Sequence, residues 1–189
     1  MNKNIETFIG CNSEYNDAKI VMFGAPFDST TSFRPGARFG SSAIRHESFG
    51  IETYSPYQDK DLEDTNIFDC GDLELCFGSA EKALEDIDRE LKCLSQNGFK
   101  EIVFVGINLS DYGKGTEHSL PDALALAEKY DEIKRVRLGS LEPDHITDEM
   151  IERLGKISKL CPQFHISVFF FHKYLQSIFI ISQITNIMQ

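Results

Sequence analysis

The chain has 189 residues, 41% of them hydrophobic, and a formal net charge of −11 at pH 7. That length and apolar content are enough for one domain of ordinary size or for two small units. Because so negative a chain repels a phosphate backbone, its composition argues against autonomous nucleic-acid binding. The five cysteines are odd in number and widely spaced, which predicts reduced thiols and no disulfide framework, zinc site or iron–sulfur site.

The two ends of the chain bear on its location. No charged segment followed by an apolar one opens the sequence, which argues against secretion and predicts a cytoplasmic protein. The stretch from Ser167 to Met188 is apolar, but polar side chains such as Lys173 and Gln183 interrupt it. It falls short of the run of about 20 apolar residues that a membrane helix needs, so we expect no membrane partner.

The front of the chain predicts two buried strands around a long loop. Residues 19–24 are an apolar run closed by glycine and proline, typical of a parallel strand. Residues 25–40 contain too many prolines and glycines for a regular element. Ser41 or Ser42 then has the chemistry to cap a short helix. Residues 66–71 predict a second strand that ends in a Gly-Asp turn.

The rest of the chain predicts alternating helices and strands. Apolar residues recur at spacings of four and three over residues 79–96, which indicates a helix capped by Ser79 and stopped at Asn97-Gly98. Strands are expected at residues 101–106, 134–138 and 164–168, and helices at 120–130 and from Thr147 onward. This alternation predicts βαβ units and a parallel sheet.

One segment of the front half has a family signature. Residues 28–45 read DSTTSFRPGARFGSSAIR, preceded by IVMFGAPF, and residues 66–73 read NIFDCGDL. In this order the segments resemble the opening of the ureohydrolase family, closest to agmatinase. The resemblance runs from about residue 19 to about residue 85. It implies the front part of a three-layer α/β/α fold.

The loop within that signature contains a proline and two arginines whose chemistry suggests a role. Pro35 stiffens it, and Arg34 and Arg38 carry guanidinium groups that pair well with carboxylates such as Asp28. The resemblance places this loop beside the active-site mouth and near subunit contacts, with Asp28, Arg34 and Arg38 as substrate-loop residues. The alternative is that the arginines only pin the loop through salt bridges. The sequence leaves both open.

The resemblance implies hydrolysis of agmatine, a small-molecule substrate, to putrescine and urea, with two manganese ions activating water. The family holds those ions in a Gly-Gly-Asp-His segment, an Asp-Ala-His-x-Asp segment and an Asp-x-Asp-x-x-Asp-Pro-like segment. None of the three occurs in the printed sequence, and His46 has no second ligand at metal spacing, so we expect it at the surface. The front half therefore predicts a scaffold without catalytic residues or manganese ligands. By family, it also leaves a homo-oligomer open.

The back half has a different signature. Residues 97–103 read NGFKEIV, 106–113 read GINLSDYG, 135–143 read RVRLGSLEP and 160–167 read LCPQFHIS. In this order and spacing they resemble the radical-SAM (β/α) barrel of tRNA methylthiotransferases, particularly the branch that acts on threonylcarbamoyladenosine. The resemblance covers about residues 91–167.

That second resemblance implies a cofactor site at the strand ends. Gly106, Asn108, Ser140 and Glu142 would face bound S-adenosylmethionine, although Glu142 reads equally well as a loop carboxylate in water. The family's three cluster cysteines precede this segment, and agmatinase-like sequence stands there instead, so the 4Fe–4S ligands are absent. A tRNA partner would require a complete back half. His165 is expected to be packed or to act indirectly.

Together the two signatures predict an α/β protein with parallel strands, in which a ureohydrolase-type front fragment is joined to a partial radical-SAM barrel. The expected segments are residues 1–88, residues 89–167, and an apolar tail, 168–189, without a family match. The join is expected inside the helix at residues 79–96. Three functions remain open: an agmatinase-like fragment lacking its metal ligands, a methylthiotransferase fragment, and a non-functional fusion or frameshift product.

Overall fold

The computed structural model describes residues 5–28, 35–106, 109–113 and 115–166. The chain forms two compact units, residues 1–87 (unit 1) and 88–189 (unit 2), and the division falls inside a helix. None of the described helices is long and apolar enough to cross a membrane. In chain order the elements are β1 (Ile20–Gly24), α1 (Gly40–Ser48), β2 (Tyr54–Ser55), β3 (Lys60–Asp61), β4 (Ile67–Asp72), α2 (Ala80–Gln96), β5 (Glu101–Phe104), α3 (Leu120–Ala125), β6 (Arg135–Leu138), β7 (Ser140–Leu141), α4 (Asp148–Leu154) and β8 (His165–Ile166).

The core of unit 1 surrounds β4. This strand pairs in parallel with β1, so that Val21 lies opposite Phe68. Phe68 is fully buried, and the edge of the Tyr15 ring contacts it with the centroids 5.5 Å apart. Both strands predicted in the front half are therefore confirmed. A short antiparallel hairpin, β2–β3, lies between α1 and β4 in the sequence.

The amino-terminal segment is part of unit 1. The Ser13 N–H donates to the carbonyl oxygen of Ile67 over 3.2 Å, and Cys11 is 1% exposed. Gly10 has a φ of +80°, and a Cβ there would lie 3.0 Å from Cγ of Leu62. Only glycine adopts this left-handed conformation freely, which lets the segment turn close to Leu62.

Helix α2 matches its predicted pattern. Ser79 caps it by accepting the Lys82 N–H over 3.2 Å, and Gly98 follows its end with a φ of +86°. The predicted apolar stripe is buried along the helix, which confirms the amphipathic helix. Its buried apolar side chains are Ala83, Leu84, Ile87, Leu91 and Leu94.

Unit 2 contains short parallel strands against one apolar core. β5 pairs with β6, with Phe104 opposite Leu138, and β7 pairs with β8. Only Gly139 separates β6 from β7, and a bridge joins Val136 to Leu160. The core cluster comprises Leu120, Leu124, Ala127, Ile133, Val136, Leu138, Leu141, Leu154, Ile157 and Leu160.

Two predicted helices need correction. The helix expected over residues 120–130 ends at Ala125 and continues as a 3-10 turn, Leu126–Lys129. The Lys159 ammonium binds the carbonyl oxygens of Ala127 and Tyr130 at 2.8 and 2.7 Å, which satisfies acceptors that a longer helix would use internally. The short front helix begins at Gly40, without a capping serine.

An α/β fold with parallel strands is confirmed by these elements. The partial radical-SAM barrel is not shown: the described strands of unit 2 form two separate parallel pairs, β5–β6 and β7–β8, and no continuous arc of strands. The tail predicted as a separate segment, residues 168–189, lies outside the described residues. So does Ser167.

Candidate functional site

Unit 1 carries a buried ionic network at the carboxyl end of β4, here called the strand-end cluster: Arg45 and Ser41 from α1, and Asp69 and Asp72 from β4. Arg45 is 4% exposed and Asp69 is fully buried. The Arg45 guanidinium donates to both Asp69 oxygens, from Nε over 2.8 Å and from Nη2 over 3.0 Å. This fork-to-fork pairing is the strongest geometry available to an arginine and a carboxylate.

Asp69 is the centre of the strand-end cluster. Besides Arg45, it accepts the backbone N–H groups of Gly71 and Phe8, each over 2.9 Å. Burial on its own raises the pKa of Asp69, but the hydrogen bonds from Arg45 and from these two N–H groups outweigh burial and hold that pKa below its ordinary value. Asp69 is therefore a charged, fully satisfied carboxylate at neutral pH.

Arg45 also links Asp69 to Asp72. Its Nη1 donates to Asp72 over 2.5 Å, and its Nη2 also donates to the Gly71 carbonyl oxygen over 2.9 Å. Burial lowers the pKa of Arg45, but the hydrogen bonds to the two aspartates outweigh it, so that pKa is raised. Ser41 completes the network by donating to Asp72 over 2.8 Å. Ser41 is thus bound to a carboxylate, which corrects its predicted capping role.

The glycine that ends β1 is required by the same network. A Cβ placed on Gly24 would lie 2.1 Å from Oδ1 of Asp72 and 2.6 Å from Cβ of Ser41. No side chain fits in that space without displacing the strand-end cluster. The Gly-Ala-Pro-Phe-Asp segment therefore needs its glycine for close packing between β1, α1 and β4.

The donor set does not fit a manganese ion. Within the described ranges no three His, Cys, Asp or Glu side chains come close enough together to hold a metal ion. The two carboxylates of the strand-end cluster are already bound by Arg45, whose positive charge opposes a cation beside them. The His46 side chain is 77% exposed and its Nδ1 lies 3.3 Å from Glu6, at the surface as predicted.

The structure brings together two of the three predicted substrate-loop residues. Nη1 of Arg38 lies 3.1 Å from both oxygens of Asp28, whose side chain is 2% exposed against 40% for Arg38. The Arg38 guanidinium also stacks on the Phe39 ring, 4.8 Å from its centroid. Arg34 lies outside the described residues. The Asp28–Arg38 pair thus joins the two ends of the loop.

The predicted cofactor residues of the back half are only partly described. Asn108 lies outside the described residues. A Cβ on Gly106 would lie 3.0 Å from the Leu109 side chain, so the chain packs closely there. Ser140 begins β7, and the Glu142 N–H donates over 3.0 Å to the hydroxyl of buried Ser110. This hydrogen bond ties the backbone after β7 to Ser110.

The sequence interpretation missed Arg45, Asp69, Asp72 and Ser110. The available signal was Asp69, a carboxylate inside an otherwise apolar strand, because a buried carboxylate needs a charged partner. His165 needs a correction in the other direction. It was expected to be packed or to act indirectly, but its side chain is exposed on β8, the last strand described, so the packed alternative is wrong.

Comparison with known proteins gives two sets of relatives. The agmatinase of Bacillus subtilis is 38% identical over 130 residues, which cover 68% of this chain and 41% of that protein. The threonylcarbamoyladenosine tRNA methylthiotransferase of Thermotoga maritima is 39% identical over 87 residues, which cover 46% of this chain and 20% of that protein. The chain thus spans about two fifths of the length of its agmatinase relatives.

A solved structure agrees on the fold. The agmatine ureohydrolase of Thermoplasma volcanium superposes with a TM-score of 0.55 at 15% identity, covering 98% of this chain and 93% of that one. The arginase family model matches residues 18–126, more than half of the chain. That match crosses the join expected near residue 88, so the join stays a prediction. The chain belongs to the arginase family.

Proposed function

We propose that this chain is an agmatinase-type ureohydrolase scaffold that does not hydrolyse agmatine on its own. One observation carries the proposal: the carboxylates gathered at the strand end of unit 1 are bound by Arg45, whose positive charge opposes a cation beside them. The family reaction is hydrolysis of agmatine to putrescine and urea. It depends on water made nucleophilic by two metal ions.

The remaining chemistry of unit 1 does not replace that activation. Asp69 is saturated by four hydrogen bonds, so its oxygens have no capacity left to take a proton from water. Asp28 is occupied by Arg38. His46 lies beside Glu6 at the surface, and among the described residues it belongs to no group of three side chains able to hold a metal ion. What unit 1 offers is a strand end whose carboxylates are bound by Arg45, and an ion pair between Asp28 and Arg38.

We assign the Asp28–Arg38 pair a positioning role in that scaffold. It fixes both ends of the segment that the resemblance places beside the active-site mouth. Because Asp28 is nearly fully buried and one Arg38 nitrogen, Nη1, binds both of its oxygens, removal of Arg38 would leave a buried carboxylate unpaired without touching the strand-end cluster. Similarity to the agmatinases supports a small-molecule substrate and a homo-oligomer as the partners of that scaffold.

The direct test is a urea assay with agmatine in the presence and absence of manganese. The agmatinase of Bacillus subtilis, assayed under the same conditions, is the positive control. We expect no urea above background from this chain, with circular dichroism showing that it is folded. Manganese-dependent urea formation, proportional to chain concentration and unchanged by further purification, would falsify the proposal.

A second candidate is a methylthiotransferase-type fragment. It is favoured by the 39% identity over 87 residues to the Thermotoga maritima enzyme. It ranks second because no cysteine group able to hold a metal ion occurs among the described residues. Anaerobic incubation with iron and sulfide, followed by absorption spectroscopy and equilibrium dialysis with S-adenosylmethionine, distinguishes the two. A stoichiometric cluster with bound cofactor would favour this second candidate.

A further inference from the structure

The carboxyl end of α2 is closed by an asparagine followed by a glycine. Asn97 comes directly after the last helical residue, and Gly98 has a φ of +86°. The Gly98 N–H donates to the carbonyl oxygen of Ser95 over 3.0 Å. The Phe99 N–H donates to the carbonyl oxygen of Leu94 over 3.1 Å. These two bonds are those of a Schellman motif, in which glycine supplies the left-handed residue.

The Asn97 side chain is bound to the same helix end. Its Nδ2 donates to the carbonyl oxygen of Cys93, one turn earlier, over 2.7 Å. The Asn97 backbone N–H donates to the carbonyl oxygens of Cys93 and Leu94, each over 3.1 Å. The side-chain amide and the backbone nitrogen of Gly98 are therefore both engaged in the folded chain, although Asn97 and Gly98 are exposed to solvent.

Asn-Gly is the dipeptide in which an asparagine side chain reacts most readily with the next backbone nitrogen, because glycine has no Cβ to obstruct the approach. The Gly98 nitrogen bonds to Cγ of Asn97, and the side-chain nitrogen leaves as ammonia with the proton that the Gly98 nitrogen gives up. Water then opens the resulting succinimide ring at either carbonyl. The net reaction consumes water, releases ammonia and leaves aspartate or isoaspartate, with no oxidant or reductant.

We propose that Asn97 is a site of spontaneous deamidation, and that the Schellman motif prevents the reaction while the end of α2 is closed. The ring cannot form until the Gly98 N–H leaves the Ser95 carbonyl oxygen and the Asn97 side chain leaves Cys93. Deamidation therefore follows local opening of the helix end, which in proteins is far more frequent than global unfolding.

The product weakens the motif that delayed the reaction. A carboxylate at position 97 no longer donates to the Cys93 carbonyl oxygen, which loses a partner at the helix end. Its negative charge also lies at the negative end of the helix dipole. Deamidation thus converts a closed helix end, irreversibly, into one that opens more often.

The test follows deamidation in the full chain, folded in buffer and unfolded in guanidinium chloride, at the same pH and temperature. Trypsin cleaves after Lys92 and Lys100, so Asn97 lies in the peptide of residues 93–100. Mass spectrometry of that peptide measures the replacement of the amide NH2 by OH. Because Gln96 lies in the same peptide, Asn97→Gln is the control variant, and it should show no such replacement.

Asn66 is the matched asparagine. It is exposed like Asn97, but it precedes Ile67, whose branched side chain obstructs ring closure. In the unfolded chain we expect Asn97 to convert at least about tenfold faster than Asn66. In the folded chain the conversion of Asn97 should be at least about tenfold slower than in the unfolded chain. Equal rates at the two asparagines in the unfolded chain, or equal rates at Asn97 in both states, would overturn the proposal.

Two variants separate opening of the helix end from the chemistry. Leu94→Ala truncates a buried side chain of the motif and should accelerate deamidation in buffer, with circular dichroism showing that the chain is folded. Gln96→Ala, at an exposed position of the same turn, should leave the rate unchanged. An unchanged rate in a folded Leu94→Ala chain would overturn the proposal.

The effect of the product is measured by amide hydrogen exchange, which does not depend on Leu94→Ala. Asn97→Asp should accelerate exchange at Gly98 and Phe99 by about twofold to fivefold, because the new charge opposes the helix dipole. Asn66→Asp is the matched control and should leave both amides unchanged. The same exchange rates in the two variants would contradict the proposed weakening of the helix end.

Discussion

The two units achieve stability by different physical means. Unit 1 buries charge: Arg45 and Asp69 lie against each other at the end of a strand with every polar atom of the pair engaged. Unit 2 buries hydrocarbon, with leucine, isoleucine and valine side chains on β6, α3 and α4, and keeps ion pairs such as Arg135–Glu101 near the surface. We therefore expect unit 1 to be sensitive to the loss of a charged side chain and unit 2 to the loss of an apolar one.

The difference has a consequence for mutation. A buried network is sensitive to the loss of one member, because the partner is left charged and desolvated. An apolar core loses contacts in proportion to the volume removed. The substitutions below break one unit at a time. Amide hydrogen exchange is the main measurement, because it reports each unit separately.

The largest effect is expected from Arg45→Met, which keeps the length of the side chain but leaves Asp69 buried without its partner. The cost is about 3–5 kcal/mol in the free energy of unfolding of unit 1. Hydrogen exchange at β4 should accelerate while β6 is unaffected. The matched control is Arg135→Met, whose ion pair is solvated, and no resolvable change is expected there. Equal effects from the two variants would contradict the comparison.

The reciprocal substitution in unit 2 is Ile133→Ala, at a side chain with no exposed surface. Truncation in a packed core costs about 2–5 kcal/mol. Exchange at β5 and β6 should accelerate, with β1 and β4 unchanged. Glu132→Ala, at the exposed neighbouring position, is the control and should stay within about 0.5 kcal/mol. Acceleration in both units would mean that they unfold as one.

A smaller loss of stability in unit 1 is expected when the pH is lowered. The pKa of Asp69 is held below its ordinary value, so its contribution to stability is fully present above that ordinary value and is lost as pH falls through the lowered one. In amide NMR spectra, Phe8 and Gly71, which donate to Asp69, should titrate together in that acidic range. The Met150 amide, bonded to the Thr147 hydroxyl, is the control. Titration of Phe8 near neutral pH would contradict this assignment.

The smallest effect is expected from Ser48→Ala. The Ser48 hydroxyl donates to the Arg45 carbonyl oxygen over 2.6 Å and accepts the Ile9 N–H over 2.9 Å, so it ties the amino-terminal segment to α1. Its loss should cost about 1 kcal/mol and accelerate exchange at Ile9. Ser42→Ala, exposed in the same helix, should cost nothing. Unchanged exchange at Ile9 would show that the hydroxyl does not hold this segment.

Much of the fold followed from local patterns. The stripe of α2 and the run of β4 were predicted because apolar periodicity is written into consecutive residues. The end of α3 was not predicted. The carbonyl oxygens that follow it bind Lys159, which is distant in sequence but close in space. Local sequence patterns do not show a hydrogen-bond donor that comes from so far along the chain.

The strand-end cluster likewise depends on contacts between residues that are distant in sequence. Arg45 and Asp69 are 24 positions apart, and no local sequence motif indicates that they form an ion pair. The loop residues Asp28 and Arg38 were identified because they lie close together within one signature. The absence of the family's metal-binding segments was read from the sequence, but the binding of Asp69 and Asp72 by an arginine required the structure.

The most direct test of the central claim is the manganese stoichiometry of the purified full chain. The chain is incubated with manganese, separated from free metal by gel filtration and analysed by elemental mass spectrometry, with the Bacillus subtilis agmatinase treated in parallel. We predict that manganese does not coelute with this chain at stoichiometric levels. Retention of one or two manganese ions per chain would contradict the account of a scaffold whose carboxylates are bound by Arg45.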